Sequence, residues 1–249
     1  MSQAILSLSM AITNKQPAVL ATVVEVKGAS PAKIGAQITL LDDASTVGTV
    51  GGGKLEATIL KDAKAAQADG LPKLTHYKLA EQGEDAVGTL CGGEVSVFIQ
   101  PFLPPPQLII VGGGHIGHPL KVIGETAGFD VIVVDVETGR ADVLGLDPDH
   151  LTAESYIVLI TTDHVSDEAA LRQVITSPAR YIGMIGSRAK CRTILDHLKV
   201  DGISDDSLQR VYAPIGLDLG GSSPEEIAVA ILAEVIAVRR GGKRDSRSR

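Results

Sequence analysis

The sequence predicts an α/β protein in two parts: a C-terminal Rossmann-like domain with a doubly wound parallel sheet, and an N-terminal α+β domain ahead of it. Three observations carry this prediction. The run Leu108-Ile-Ile-Val-Gly112-Gly-Gly114-His-Ile-Gly117 places an apolar strand before glycines at dinucleotide-fingerprint spacing, and Asp135 closes the next apolar run, Val131 to Val134. Further apolar runs at Tyr156 to Ile160 and Tyr181 to Ile185 alternate with helix-length stretches, the grammar of a parallel sheet. The stiff triplet Pro104-Pro105-Pro106 is suited to a spacer, so the domains are placed at residues 1–103 and 107–249.

Each glycine of the fingerprint has a separate expected task. Gly112 makes the tight turn off the strand, Gly114 lets backbone amides approach a pyrophosphate, and Gly117 lets the helix pack close to the sheet. His115 lies inside the turn, either against a ligand or as a variable position. Asp135 is placed to hydrogen-bond a ribose diol and to repel a 2′-phosphate, which favours NAD or another adenosine-type ligand over NADP. The alternative is a Rossmann scaffold that binds no dinucleotide and keeps its glycines for packing.

The N-terminal domain opens with a helix over Gln3 to Ile12, then a β-rich run from Ala18 to Val26, a turn at Gly28 to Gly35 and a strand over Ala36 to Leu41. Val47 to Val50 leads into Gly51-Gly52-Gly53, after which Leu55 to Ala68 reads as a helix from its Ala, Leu and Lys content. Glycines ahead of a helix offer amides to an anion, although they serve tight turns as readily. Cys91, followed by Gly92 and Gly93, puts a thiol on a turn before the strand Val95 to Phe102, where flanking glycines leave it little cover. Cys191 lies in a helix-like stretch and reads as packing.

In the C-terminal domain, Gly186-Ser187-Arg188 ends a strand and supplies amides, a hydroxyl and a guanidinium suited to phosphate. Asp163-His164 also follows a strand, and reads equally as a ligand contact or as a helix start. The last helix has a clear beginning. Ser223 is its N-cap, Pro224 opens the first turn and Glu226 completes a capping box before the apolar-faced stretch Ile227 to Val238.

Composition narrows the function. The 249 residues are 44% hydrophobic with a net charge of −7, which argues against a nucleic-acid or anionic-membrane binder. The Arg- and Lys-rich stretch from Arg239 to Arg249 reads as a solubilising tail. The absence of Trp and the scarcity of aromatics disfavour base-stacking surfaces. No stretch has the length of a bilayer-spanning helix, and Ser2 to Lys15 lacks the pattern of a secretory signal, so the expected location is the cytoplasm. Two cysteines in different halves, with no CxxC pair, indicate neither a disulfide framework nor a zinc site.

Taken in order, Gly28-Ala-Ser-Pro31, Gly48-Thr-Val-Gly-Gly-Gly-Lys-Leu-Glu56, Cys91-Gly-Gly93, the Rossmann fingerprint, Tyr181-Ile-Gly-Met-Ile-Gly-Ser-Arg188, Ala213-Pro-Ile-Gly-Leu217 and Pro224-Glu-Glu-Ile-Ala228 resemble the XdhC/CoxI family from about Val19 to about Arg240. The resemblance implies a maturation factor for molybdenum hydroxylases of the xanthine dehydrogenase or carbon monoxide dehydrogenase type. Such a protein binds molybdenum cofactor, shields it while a cysteine desulfurase helps supply the terminal sulfido ligand, and delivers it to the apo-enzyme. The favoured reading is a non-catalytic accessory factor with no turnover of its own, or at most one that assists sulfuration by a partner. Gly51, Gly52, Gly53, Gly92 and Gly93 are then suited to a pterin phosphate, Cys91 to the metal as a soft ligand, and Glu56 either to a pterin amide or to the helix dipole. Many relatives carry a second cysteine in the glycine turn where this chain has Lys54, which is read either as a phosphate contact or as a solvated helix-start lysine.

The competing reading is an NAD-dependent oxidoreductase. It gains from Gly112, Gly114, Gly117 and Asp135 but lacks an evident hydride-transfer constellation. A ligand-sensing interaction module is a third class. A homodimer is expected, with the site near an interdomain or intersubunit cleft, because pockets favour such interfaces.

Overall fold

The first helix, α1 (Gln3–Thr13), begins at Ser2, whose hydroxyl accepts from the Ile5 amide at 3.3 Å and satisfies one of the helix's free donors. It opens the first of two units, Met1–Pro104 and Pro105–Arg249, of the computed structural model, which describes residues 2–80, 87, 92–136 and 139–242.

The N-terminal unit continues with β1 (Ala18–Lys27), β2 (Gln37–Leu41), β3 (Thr46–Gly48), α2 (Gly53–Asp69), β4 (Lys73–Lys78) and β5 (Glu94–Phe102). The strands form an antiparallel sheet in the order β3-β2-β1-β5-β4. Strand side chains alternate between faces, so Val19, Ala21 and Val23 of β1 point with Ile38 and Leu40 toward Leu55, Ile59 and Ala63 of α2. The intervening Ala18 and Leu20 meet Leu8 and Ala11 of α1 on the other face. Each fully buried Val, Leu or Ile side chain among them contributes roughly 1.5–3 kcal/mol. β4 is an element the sequence analysis did not place: in Lys73–Lys78 only Tyr77 is buried, so its apolar signal is weak.

The C-terminal unit contains β6 (Gln107–Val111), α3 (Gly117–Thr126), β7 (Asp130–Val134), β8 (Ser155–Leu159), α4 (His164–Val174), β9 (Tyr181–Met184), α5 (Arg188–Val200), α6 (Asp205–Gln209), β10 (Val211–Tyr212) and α7 (Pro224–Arg239). Its sheet is parallel in the order β10-β9-β8-β6-β7, with helices on both faces. This is the doubly wound Rossmann-like architecture expected. Leu171, Val174, Ile194 and Leu198 from α4 and α5 pack on one face; Leu120, Ala228, Ile231 and Val235 from α3 and α7 pack on the other. Every residue of β8 is buried, which is why it reads as a continuous apolar run without alternation. The chain order reverses between β6 and β8, so loops leaving these strands diverge to opposite faces and leave a crevice at their C-terminal ends. Among the described residues, no helix is long and apolar enough to cross a membrane.

Candidate functional site

Three glycine-bearing turns of the N-terminal unit meet at one end of its sheet. The turn after β1 lies on the turn before β5: a Cβ on Gly28 would be 3.3 Å from the Gly93 Cα, and one on Gly93 would collide with the Ala29 carbonyl. The glycines before α2 approach the same segment, since a Cβ on Gly51 would be 3.1 Å from the Ala32 nitrogen. Gly52, Gly53 and Gly92 instead border open space, with no atom within 4 Å of an added Cβ. Gly51, Gly52 and Gly53 have φ of 125°, 73° and 61°, a left-handed series that side chains resist. The result is an edge of bare backbone at the start of the 17-residue helix α2.

Glu56, read either as a contact to a pterin amide or as a partner of the helix dipole, turns one carboxylate oxygen to its own loop. Its Oε2 accepts from the Thr49 hydroxyl at 2.5 Å, the Val50 amide at 3.0 Å and the Gly52 amide at 3.2 Å, so the carboxylate braces its own loop. Partial burial works to raise its pKa, but the bonds from Thr49, Val50 and Gly52 outweigh it and hold the carboxyl below the usual glutamate range. Lys54 is exposed on the first turn of α2. Cys91 lies outside the described residues. Its neighbours Gly92 and Gly93 exchange backbone bonds of 2.7 and 2.8 Å with Leu79.

In the C-terminal unit Gly112 and Gly117 take the places assigned to them. A side chain on Gly112 would collide with the Ile160 carbonyl and one on Gly117 with the Gly112 carbonyl, so strand, turn and helix pack too closely for anything but hydrogen. Gly114 is open, its nearest neighbour to an added Cβ being Arg140 Nη1 at 3.9 Å, and His115 is exposed. Asp135 differs from its expected ribose role in one respect: its Oδ2 accepts from the Gly113 amide at 2.8 Å. The Arg140 carbonyl also closes on Gly113, where an added Cβ would collide with it.

At the end of β9, the Ser187 hydroxyl expected to meet a phosphate is the N-cap of α5, accepting from the Lys190 amide at 3.2 Å. Arg188 is exposed and lines a cavity of about 360 Å³ with Pro214, Ile215, Gly216, Leu217 and Asp218. One residue that sequence reasoning missed fixes this loop. Glu234 is fully buried, and its Oε2 accepts from the Tyr181 hydroxyl at 2.6 Å and the Gly216 amide at 3.0 Å. A lone acid within the apolar run Ala230-Ile-Leu-Ala-Glu-Val-Ile236 was the available signal. Asp163 proves to be the N-cap of α4, accepting from the amides of Val165 and Ser166 at 2.9 Å each. Cys191 is 2% exposed within the core, and burial pushes its thiol pKa up. Among the described residues, no group of three or more His, Cys, Asp or Glu side chains is arranged to hold a metal ion.

A parallel-sheet Rossmann domain that follows, along the chain, an antiparallel α+β unit with a glycine-lined edge defines a two-domain α/β class of protein. Family models sharpen that class: the XdhC Rossmann domain matches residues 108–235, and the XdhC and CoxI family matches residues 11–78. The chain belongs to the XdhC/CoxI family. Protein YqeB of Escherichia coli K12 is 32% identical, over 90% of this chain and 44% of its own length. A Bacillus subtilis 168 protein named as a probable subunit of xanthine dehydrogenase is 28% identical, over 58% of this chain and 46% of its own. The chain thus spans less than half the length of these two relatives. The molybdenum cofactor insertion chaperone PaoD of Escherichia coli K12 is 21% identical over 95% of this chain and 88% of its own. A crystal structure described as a xanthine dehydrogenase from Bacillus halodurans aligns over 100% of this chain and 98% of its own, at 22% identity and a TM-score of 0.49.

Proposed function

We propose that this chain is a carrier of molybdenum cofactor that protects its cargo during sulfuration and delivers it to an apo-hydroxylase of the xanthine dehydrogenase type. The observation that carries this reading is the bare edge formed by Gly52, Gly53 and Gly92, where backbone without side chains borders open space beside a helix start and the turns behind it are packed. A phosphate-bearing pterin needs donors that do not have to be ordered when it arrives. Glu56 supplies that preorganisation by bracing the loop, and Lys54 adds positive charge at its rim. Cys91, next to Gly92, is the proposed soft ligand to molybdenum. Family membership and the chaperone name of one relative support the reading.

The partners in this proposal are the client hydroxylase and a cysteine desulfurase, met in the cytoplasm by a homodimer of this chain. The test is direct. Purified protein is incubated with cofactor released from a molybdoenzyme, and bound molybdenum is measured together with activation of the apo-client. Near-stoichiometric retention by the wild type, with strong loss of loading or transfer in Cys91→Ala, is expected. No retention by the wild type overturns the carrier reading. Wild-type loading and transfer by Cys91→Ala overturn the thiol's part in it and leave the glycine amides as the binding device.

One observation favours a nucleotide as a second ligand: Gly112 and Gly117 are close-packed in the geometry that a dinucleotide turn requires, with Asp135 at the end of β7. An NAD-dependent oxidoreductase is the enzymatic form of that reading. Titration with NADH and NADPH, followed by nicotinamide fluorescence, tests it. Absence of binding to the wild type assigns the glycines to packing.

A further inference from the structure

Asp167, in the first turn of α4, is fully buried. Its Oδ1 accepts from the Thr161 amide at 3.0 Å and the Thr161 hydroxyl at 2.6 Å, and its Oδ2 receives the Lys190 ammonium at 2.6 Å. This cluster stands at the C-terminal edge of the parallel sheet, where the strand order reverses. Thr161 follows the end of β8, and its nitrogen lies 3.1 Å from where a Gly112 Cβ would be, so it borders the turn leaving β6. Lys190 reaches the cluster from α5 across Gly186, whose missing side chain leaves room for it: an added Cβ there would be 2.9 Å from the Lys190 Cδ. The lysine thus bridges the ends of β8 and β9 beside the crevice.

The Lys190 side chain is 27% exposed although its partner is 0% exposed. Asp167 is its only hydrogen-bond partner among the described residues, which leaves two of the three ammonium donors for solvent or a ligand. Neutral side chains of similar shape commonly replace buried ion pairs without loss of stability, so stability alone does not account for a charge here. We propose that Lys190 is an anion-binding residue of this crevice, taking a phosphate group of the ligand, and that Asp167 is the positioning residue that holds the ammonium in place. The inference is independent of the cofactor-carrier reading and requires only a phosphate-bearing ligand. A nucleoside diphosphate and a phosphate monoester, such as that of a pterin, share this chemistry.

The probe is inorganic pyrophosphate, titrated by calorimetry at fixed ionic strength, with thermal melts on every variant. Lys190→Met weakens binding by about tenfold or more, the effect of losing a charge-assisted bond, and Asp167→Asn weakens it by a smaller factor although the lysine is retained. The double variant Asp167→Asn/Lys190→Met, which removes both charges with similar shapes, is expected to melt near the wild type yet bind as weakly as Lys190→Met. A folded double variant that binds like the wild type makes the pair purely structural and overturns the proposal, as does a wild type that does not bind pyrophosphate. A second measurement needs no stable variant. After reductive ¹³C-methylation, the Lys190 signal, assigned by its absence in Lys190→Arg, shifts on adding pyrophosphate; an unmoved signal also overturns the proposal. The tighter of ADP and glycerol 3-phosphate identifies the source of the phosphate.

Discussion

Glu56 shows how one side chain sets the state of a whole loop. Glu56→Ala strips the acceptor from two amides and a hydroxyl, and should cost the N-terminal unit about 1–3 kcal/mol in urea unfolding at neutral pH. Because the folded pKa is lowered, this stabilisation is complete above the ordinary glutamate value of 4.5 and is lost as pH falls through the lower folded value. The gap between wild type and variant should therefore close on acidification; a gap that widens would falsify the assignment. Glycines in the same region divide into two kinds. Gly52→Ala meets no atom and should cost only the roughly 1–3 kcal/mol of a backbone at φ 73°, ψ −179° that side chains resist, whereas Gly93→Ala drives a methyl into the Ala29 and Lys27 carbonyls and should cost more. Equal melting points for the two would contradict the packing described. Cys191→Ala should cost about 1 kcal/mol and leave cofactor transfer intact, while Cys191→Ser, which buries a hydroxyl, should cost about 1–3 kcal/mol.

The two long helices next to the candidate sites begin differently. α7 has the complete capping box: Glu226 N donates to the Ser223 hydroxyl at 3.2 Å, and the Glu226 carboxylate accepts from the Ser223 amide at 3.1 Å. Ser223→Ala should lower the stability of the C-terminal unit by about 1 kcal/mol in thermal melts. α2 has glycine at its cap and no side-chain bond there, so its free amides are satisfied by the loop brace or left for a ligand. The capping box was legible because its residues are three positions apart in the chain and need no tertiary partner. The brace was not, because Glu56 serves Thr49 and Val50 only after the glycines fold back over the helix start. β4 escaped notice for a related reason: an edge strand that buries one side chain leaves no periodicity to read.

At the scale of the whole molecule, each of the hydrophobic clusters of the described residues falls within one unit or the other, which implies two unfolding units. Ile59 lies in the core of the N-terminal unit and Ile157 in that of the C-terminal unit, both 0% exposed. Ile59→Ala and Ile157→Ala should each remove about 2–5 kcal/mol, and each should shift a different transition in scanning calorimetry. A single transition moved alike by both variants would show that the units unfold as one.

The sequence by itself determined the α/β class, the parallel sheet, the Rossmann turn and the family, because strand runs, glycine spacings and caps are local and repeat with the period of their element. It also marked the glycine turns from which the candidate site is built. Only the tertiary structure decided what the polar groups around them do. It turned Glu56 and Asp135 toward their own loops, made Ser187 and Asp163 helix caps, and brought Asp167, Thr161 and Lys190 into one cluster. A charged side chain on a helix looks the same in sequence whether it meets solvent or a buried partner. Lys190 and Asp167 are 23 residues apart, and the parallel sheet is what brings them within 2.6 Å.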